Sequence, residues 1–211
     1  MTNELAALKQ KWAEEERARI EEFTRMPTLT FDAERHEFRL DDRVIPSVTQ
    51  ILEAEGVIDA RWYTEESREL GIAVHEWCAA DDRGEAGALA DERIIPYVEA
   101  WRAAREGMAV HQDWTEKPVR NSRLMYAGIM DRLVTLDKDV YLIDLKTGAP
   151  ERWHALQTAA YAYCDEMRLM DARRASVYLR DDGTFRFVEH LDGRDFQTFC
   201  GIVLLHNWRQ G

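Results

Sequence analysis

The sequence predicts an α/β protein, in which helices flank a mixed β-sheet and a helical region precedes it. One observation is the length of 211 residues, which suits one domain with a sizeable core. The other is the second half of the chain, where apolar strand-like runs and helical runs follow one another as β-β-β-α-β-β-α. These elements are predicted over 108–116, 125–136, 139–146, 152–170, 175–180, 184–190 and 192–209.

The chain divides into a short helical segment and one larger domain. Residues 1–26 are almost free of Gly and Pro and carry apolar residues at helical spacing, which predicts an amphipathic N-terminal helix. Residues 27–211 form the domain. Its first part, 27–107, is a hairpin followed by helices, and its second part, 108–211, contains the sheet.

The first part of the domain contains local start signals. Alternating apolar and polar residues predict a β-hairpin over 28–45. Ser47, followed three residues later by Gln50, fits a capping box at the start of a helix. Later helices are predicted from Thr64 to about Ala80 and over 90–106, where Pro96 indicates a kink or a late start, and 81–88 is predicted to be a loop.

Composition limits the class of protein. The net charge is −12, and no apolar run approaches the roughly 20 residues that a bilayer span needs. The three scattered cysteines predict reduced thiols in a cytoplasmic protein.

The net charge alone argues against a phosphate-rich partner, but residues 1–116 carry the acidity and residues 117–186 have a net charge of +2. Eight basic residues of that segment are left to meet phosphate: Lys117, Arg120, Arg123, Arg132, Arg152, Arg173, Arg174 and Arg186.

Charged residues at the end of a buried strand are the main candidates for chemistry. Asp144 and Lys146 alternate on the strand and therefore share a face, which is also compatible with a structural ion pair. Asp131 lies on the preceding strand, and hairpin geometry brings its carboxylate within several ångströms of Asp144. Two neighbouring anions require a cation, and oxygen ligands indicate Mg²⁺, with Mn²⁺ as a substitute. Gly128, within the strand, would allow a ligand or backbone to approach closely.

The following helix adds a polar stripe. His154, Gln157 and Tyr161 are spaced i, i+3, i+7, so they line one side of the helix. A merely solvated face would carry Lys and Glu instead. The stripe therefore favours a helix that faces the same cleft as the strand end.

These residues resemble motifs of the PD-(D/E)xK nuclease superfamily, in its RecB-like exonuclease branch. The matching elements, in chain order, are the region His36 to Thr49, Gly71-x-x-x-His75, Glu116 with Pro118-Val119, Gly128-x-x-Asp131, Asp144-Leu145-Lys146-Thr147-Gly148 and Gln157-x-x-x-Tyr161. Met130 replaces the proline that gives the family its name. The resemblance covers roughly residues 28–190.

The resemblance implies a restriction-endonuclease-like αβββαβ core and metal-dependent hydrolysis of DNA phosphodiester bonds. It implies that His75, Asp131, Asp144 and the Leu145 carbonyl hold Mg²⁺. The resemblance also implies catalytic roles for Asp131, Asp144, Lys146, Glu116, Gln157 and Tyr161. It implies substrate contacts for Ser47, Thr49, Arg123, Thr147 and His154. Some relatives hold an iron–sulfur cluster with four cysteines, which three scattered cysteines cannot supply.

Several functions remain open. The leading expectation is an exonuclease that acts on DNA ends in recombination, repair or phage DNA metabolism. A recombination or single-strand-binding protein is an expected partner, and no membrane partner is expected. A structure-selective or single-strand endonuclease is the alternative within nucleases. An inactive nuclease-like module that binds nucleic acid or a protein is a third reading, and a metal-dependent phosphatase is a fourth.

Overall fold

The computed structural model describes residues 27–59, 61, 63–89, 91–108, 111–136, 138–167 and 171–211. The helix predicted over 1–26 lies outside these residues. No helix in the described ranges is long and apolar enough to cross a bilayer.

The domain begins with a small antiparallel sheet. Strand β1 (Leu29–Asp32) pairs with β2 (Glu37–Leu40), and β2 pairs with β3 (Arg43–Ile45). The hairpin predicted over 28–45 is confirmed, with a third short strand added. Phe38 and Ile45 are buried against Ala127 of the main sheet, which attaches the small sheet to the rest of the domain.

Three helices follow, and their starts carry the predicted signals. Helix α1 (Val48–Ala54) opens with the Ser47–Gln50 capping box, in which both reciprocal hydrogen bonds are present. Helix α2 (Glu65–Asp82) is capped by Thr64. It runs past Ala80, so Asp81 and Asp82 belong to a helix and not to the predicted loop. Helix α3 (Ile95–Gly107) follows a 3-10 turn, and Pro96 lies in its first turn, so the helix starts late and is not kinked by the proline.

The main sheet has five strands in chain order. Only its β6–β7 pair is parallel, and the other three pairs are antiparallel, so the predicted mixed sheet is confirmed. The strands are β4 (His111–Asn121), β5 (Tyr126–Leu136), β6 (Asp139–Lys146), β7 (Arg173–Leu179) and β8 (Phe185–Glu189).

Strand β4 extends farther than predicted. It passes through Pro118 and ends at Asn121, five residues beyond the predicted end. Because β4 is an edge strand, its outer side needs no partner, and a proline without an N–H group is tolerated there.

Helix α4 (Trp153–Ala162) connects β6 to the parallel strand β7 and is shorter than the predicted 152–170. Long-range hydrogen bonds hold the chain that follows. Asn121 Nδ2 donates to the Tyr163 carbonyl at 2.8 Å, and the Ser122 N–H donates to Asp165 Oδ2 at 3.1 Å. A 3-10 turn at Asp165–Met167 therefore replaces the helix end.

Helices cover both faces of the sheet. On one face, Val74 of α2 and Trp101 of α3 pack with Ile143 and Leu145 of β6. On the other face, α4 and helix α5 (Asp195–Gln210) pack against the neighbouring residue Leu142. The alternation along β6 thus sends apolar side chains into two separate cores. The end of β6 lies between α2 and α4, which is where the candidate site forms.

Candidate functional site

The site begins where strands β5 and β6 stop pairing. Their last paired residues are Arg132 and Ile143. Just beyond this pair, Asp131 Oδ2 accepts a 2.7 Å hydrogen bond from the Leu145 backbone N–H. The Asp131 carboxylate thus occupies the space between the two strands, and it is only 6% exposed. This contact places the Asp131 carboxylate beside the end of β6.

Helix α2 brings an imidazole to the same point. His75 Nε2 lies 3.1 Å from the Leu145 carbonyl oxygen, while Nδ1 lies 3.5 Å from Asp131 Oδ2 and 3.8 Å from Glu116 Oε1. His75, Glu116 and Asp131 each offer one ligand atom, and these atoms all lie within 4.8 Å of one another. The three residues form a candidate metal site, called the His75 cluster below.

Glu116 reaches the cluster from the edge strand in an unusual conformation. Thr115 pairs with Arg132 and Lys117 with Met130, so Glu116 lies opposite Asp131. Its φ of 47° is in the left-handed region, which costs a non-glycine residue about 1–3 kcal/mol. Arg132 Nη1 donates to Glu116 Oε1 at 2.8 Å and thereby holds the carboxylate in position.

Burial and mutual charge change how the cluster titrates. Burial, together with the negative charges of Asp144 and Glu116, raises the pKa of Asp131 to about 7, although His75 opposes the rise. Burial acts to lower the pKa of His75, but Asp131 and Glu116 outweigh it, so that this pKa is raised. Burial likewise opposes ionisation of Glu116, yet His75 and Arg132 bring its pKa below the ordinary value. When all three groups are ionised, the cluster has two negative charges and one positive charge, so a bound cation would stabilise it.

A second set of polar residues lies beside the cluster on the α4 side. Lys146 Nζ is 2.7 Å from Asp144 Oδ2 and donates to Gln157 Oε1 at 2.9 Å. Gln157 Nε2 then donates to the Tyr161 hydroxyl at 3.1 Å. Four of the residues predicted to be catalytic are thus connected in one chain of contacts. Asp144 is only 1% exposed, and the Lys146 ammonium is its ion-pair partner.

Gly128 has a different role from the expected one. A Cβ atom at this position would lie 2.5 Å from Tyr161 Cε1. The aromatic ring of Tyr161, and not a ligand or another backbone, occupies the space above the glycine. The absence of a side chain at Gly128 leaves room for the Tyr161 ring against β5, where the Tyr161 hydroxyl accepts from Gln157 Nε2.

The residues predicted to contact substrate are spread over the fold. Ser47 Oγ accepts from the Gln50 N–H and bonds the Thr49 hydroxyl, both at 3.1 Å, so these two side chains serve the cap of α1. Arg123 lies in the β4–β5 turn and lines a 600 Å³ cavity with Tyr163, away from the residues of the His75 cluster. Their substrate contacts remain predictions.

Thr147 and His154 lie nearer the site. Thr147 directly follows Lys146, with its hydroxyl beside Gly71 of α2. His154 is 3% exposed, and its Nδ1 accepts from the Glu151 N–H and lies 2.8 Å from the Tyr178 hydroxyl. Burial, Lys146 and His190 lower the pKa of His154 to about 3, so it is neutral at pH 7.

Several basic residues expected to meet phosphate are engaged in ion pairs instead. Arg132 is completely buried, and its Nε donates to Asp82 Oδ2 at 2.6 Å while Nη1 holds Glu116. No local pattern indicates this role, because Asp82 is 50 residues away and falls in a predicted loop. The other paired side chains are Arg120 with Glu166, Arg173 with Asp139 and Glu189, and Arg174 with Asp195.

No family model matches this chain, and no curated protein matches it. The structure shows an α/β fold in which the His75 cluster, two carboxylates and one imidazole, lies at a strand end. Lys146, Gln157 and the carboxylate of Asp144 lie beside it. Such a donor set can hold a hard divalent cation next to a polar, partly enclosed surface.

Proposed function

We propose that this protein is a metal-dependent deoxyribonuclease that hydrolyses phosphodiester bonds from DNA ends. The observation that carries the proposal is the adjacency of the His75 cluster to the Asp144–Lys146–Gln157 contacts. One group of side chains has the donor atoms for a divalent cation. The other presents an ammonium group for phosphate oxygens.

The residues fit a hard divalent cation. Asp131, Glu116 and Asp144 bring three carboxylates into one region, and the pKa of Asp131 rises to about 7 through burial and these neighbours. Asp144 Oδ2 is buried with no aligned hydrogen bond among the described residues, although the Lys146 ammonium lies 2.7 Å away. Carboxylate oxygens with one imidazole suit Mg²⁺ or Mn²⁺ better than Zn²⁺, which prefers sulfur and nitrogen ligands.

His75, Asp131 and Glu116 would hold the cation, with Asp144 and the Leu145 carbonyl as the nearest further oxygens. When bound, a divalent cation supplies Lewis-acid polarisation of a phosphate oxygen and makes water a stronger nucleophile. Lys146, a compact positive charge, neutralises charge that gathers on the phosphate during attack. Gln157 fixes the Lys146 ammonium from one side, and Tyr161 fixes Gln157.

The resemblance to the RecB-like branch of the PD-(D/E)xK superfamily supports the same function. The chain order α2, α3, β4, β5, β6, α4, β7 contains the αβββαβ order of a restriction-endonuclease-like core, with α3 inserted before β4. His75, Glu116, Asp131, Asp144, Lys146 and Gln157 come from these elements in the order of the family's motifs. We propose that core as the finer description of the fold.

Digestion of end-labelled DNA tests the proposal. Single- and double-stranded DNA labelled at the 5′ or 3′ end, and a covalently closed circle, would be incubated with Mg²⁺, with Mn²⁺ or with a chelator. We expect loss of the linear substrates with either cation, protection of the circle, and no loss in the chelator or with D144N.

The alternatives predict different results. Cleavage of the circle would indicate an endonuclease. Binding of DNA without cleavage would indicate a nuclease-like module, and hydrolysis confined to small phosphate monoesters would indicate a phosphatase.

A further inference from the structure

We infer that a cavity at the carboxyl ends of β6 and β7 binds one nucleotide of the substrate strand, next to the phosphodiester bond that is cut. The inference rests on the proposed nuclease function and specifies where the strand lies. Arg186 and Tyr97 are the residues that contact this nucleotide.

The lining of the cavity includes Thr147, the residue after Lys146. Its volume is 310 Å³, at the lower end of the roughly 300–1,000 Å³ of ligand pockets. Residues 147–150, which follow Lys146, form one wall, and the end of β7 with residues 180–181, which follow it, forms another. Strands β6 and β7 are the parallel pair of the sheet. In open α/β sheets, ligands bind outside the carboxyl ends of parallel strands.

The charge of the cavity suits one phosphodiester group. Its charged lining residues are Arg180, Arg186 and Asp181, which leave one net positive charge. Arg186 is exposed, and within the described ranges no carboxylate forms an ion pair with it. This distinguishes Arg186 from the buried Arg132, which is neutralised by Asp82 and Glu116. A phosphodiester carries one negative charge, and an arginine fork binds it through two donors.

Aromatic surface in the cavity suits a base. Tyr97 comes from the first turns of α3 and is partly exposed, so its ring is accessible from the cavity. Tyr178, the other aromatic residue, is almost fully buried, and its hydroxyl meets His154. Tyr97 is therefore the residue available for stacking, an interaction worth about 1–3 kcal/mol per base and independent of base identity.

The test compares a single-stranded DNA 20-mer with bis(p-nitrophenyl) phosphate, a phosphodiester that has no neighbouring nucleotide. With Mn²⁺, we expect R186Q and Y97A to lower kcat/KM for the 20-mer about tenfold relative to kcat/KM for the small phosphodiester. R194Q is the matched control, because exposed Arg194 lies outside the cavity lining and pairs with Asp192. We expect R194Q to leave both values unchanged.

Binding measured without cleavage separates the two proposals. In Ca²⁺, fluorescence anisotropy of a labelled 20-mer should show that R186Q reduces the slope of log affinity against log salt by about 0.7, the value for one lost single-strand phosphate contact. Equal slopes and equal substrate ratios for wild type, R186Q and Y97A would overturn the cavity assignment. If wild type hydrolyses neither substrate, the nuclease proposal fails, and the anisotropy result alone decides whether the cavity holds a nucleic-acid strand.

Discussion

The carboxylate of Asp131 accepts the hydrogen bond of the Leu145 N–H, just past the last pair of the β5–β6 ladder. One side chain therefore serves both the sheet and the candidate metal site. The same Oδ2 atom lies 3.5 Å from His75 Nδ1. Removing the charge of Asp131 and removing its oxygen atoms should therefore have different effects.

We expect D131N to keep the fold and lose the cation. The amide oxygen can still accept from the Leu145 N–H, but the negative charge is gone. The affinity for Mn²⁺, measured by titration calorimetry, should fall at least tenfold, while the thermal midpoint in chelator stays near that of wild type. D131A, which also loses the acceptor and leaves a buried N–H unpaired, should be destabilised by about 1–3 kcal/mol. Equal Mn²⁺ affinity for D131N and wild type would remove Asp131 from the metal site.

Asp144→Ala and Lys146→Ala should each abolish Mg²⁺-dependent DNA degradation and leave the fold intact. K146M is the sharper variant, because it keeps the aliphatic stem and removes only the ammonium that contacts Asp144 and Gln157. It should lose activity but retain Mn²⁺ binding, since Lys146 is not a ligand. Circular dichroism checks the fold, and digestion of end-labelled DNA checks activity. Undiminished cleavage by D144A or K146A would refute the nuclease assignment.

The buried Arg132 should contribute more to the free energy of unfolding than the exposed Arg102, although both arginines pair with carboxylates. R132M removes the fully buried partner that Asp82 and Glu116 share. Arg105 and Trp101 still contact Asp82 in this variant. We expect a loss of about 1.5–3 kcal/mol in the free energy of unfolding by urea, because charge-assisted hydrogen bonds are lost while Asp82 keeps Arg105. The control is R102M, since Arg102 pairs with Asp81 at the surface, and a loss of about 1 kcal/mol or less is expected there. Similar losses in both variants would mean that burial of the Arg132 pair is unimportant.

Gly128→Ala should disturb Tyr161. The added methyl would lie 2.5 Å from Tyr161 Cε1, so the ring or the strand must move. Overpacking of this kind costs about 1–3 kcal/mol, and the shift should also separate the Tyr161 hydroxyl from Gln157. Gly87→Ala is the control, because no atom lies within 4 Å of the added Cβ there. The thermal midpoint of G128A should fall below that of wild type while that of G87A stays near it, and equal midpoints for the two variants would contradict this prediction.

Without divalent cations, the contribution of the His75 cluster to stability should fall as the pH rises from about 5 to 8, while the lowered pKa values of buried His154 and partly buried His190 act in the opposite direction. Asp131 has a pKa raised to about 7 in the folded state, so the folded protein binds this proton more tightly than the unfolded chain does. The raised pKa of His75 acts in the same direction, because its stabilising contribution is lost as the pH rises through the folded-state pKa. Mn²⁺ should therefore raise the thermal midpoint more at pH 8 than at pH 6. An equal rise at both pH values would contradict this coupling.

Much of the fold could be predicted because its signals are local. The capping box at Ser47, the Thr64 cap and the apolar run of β6 each depend on a few adjacent residues. The end of α4 could not be predicted in this way. The sequence continues a helical pattern beyond Ala162. The Asn121 side chain, 42 residues earlier in the chain, donates a hydrogen bond to the Tyr163 carbonyl, and the helix ends there.

The site shows the same division between local and distant information. The spacing of Asp144 and Lys146 on one strand and the placement of Asp131 on its neighbour follow from strand geometry, and their proximity could be predicted. The positions of His75 and Glu116 could be expected only through resemblance to a family, because helix packing and a left-handed backbone bring them in. No local sequence pattern indicates the Arg132–Asp82 pair, because the pair forms only if α2 extends to Asp82.

The separation of His75 and Leu145 by 70 residues has a consequence for how the chain folds. The His75 cluster joins α2 to strands β4, β5 and β6, so it exists only after α2 has docked on these three strands. Closing loops of this length is slow compared with forming a hairpin. A cation at the cluster would therefore act on the last stage of folding. It would slow unfolding and leave the initial folding rate unchanged, which makes the unfolding rate in chelator a direct measure of how firmly α2 is held.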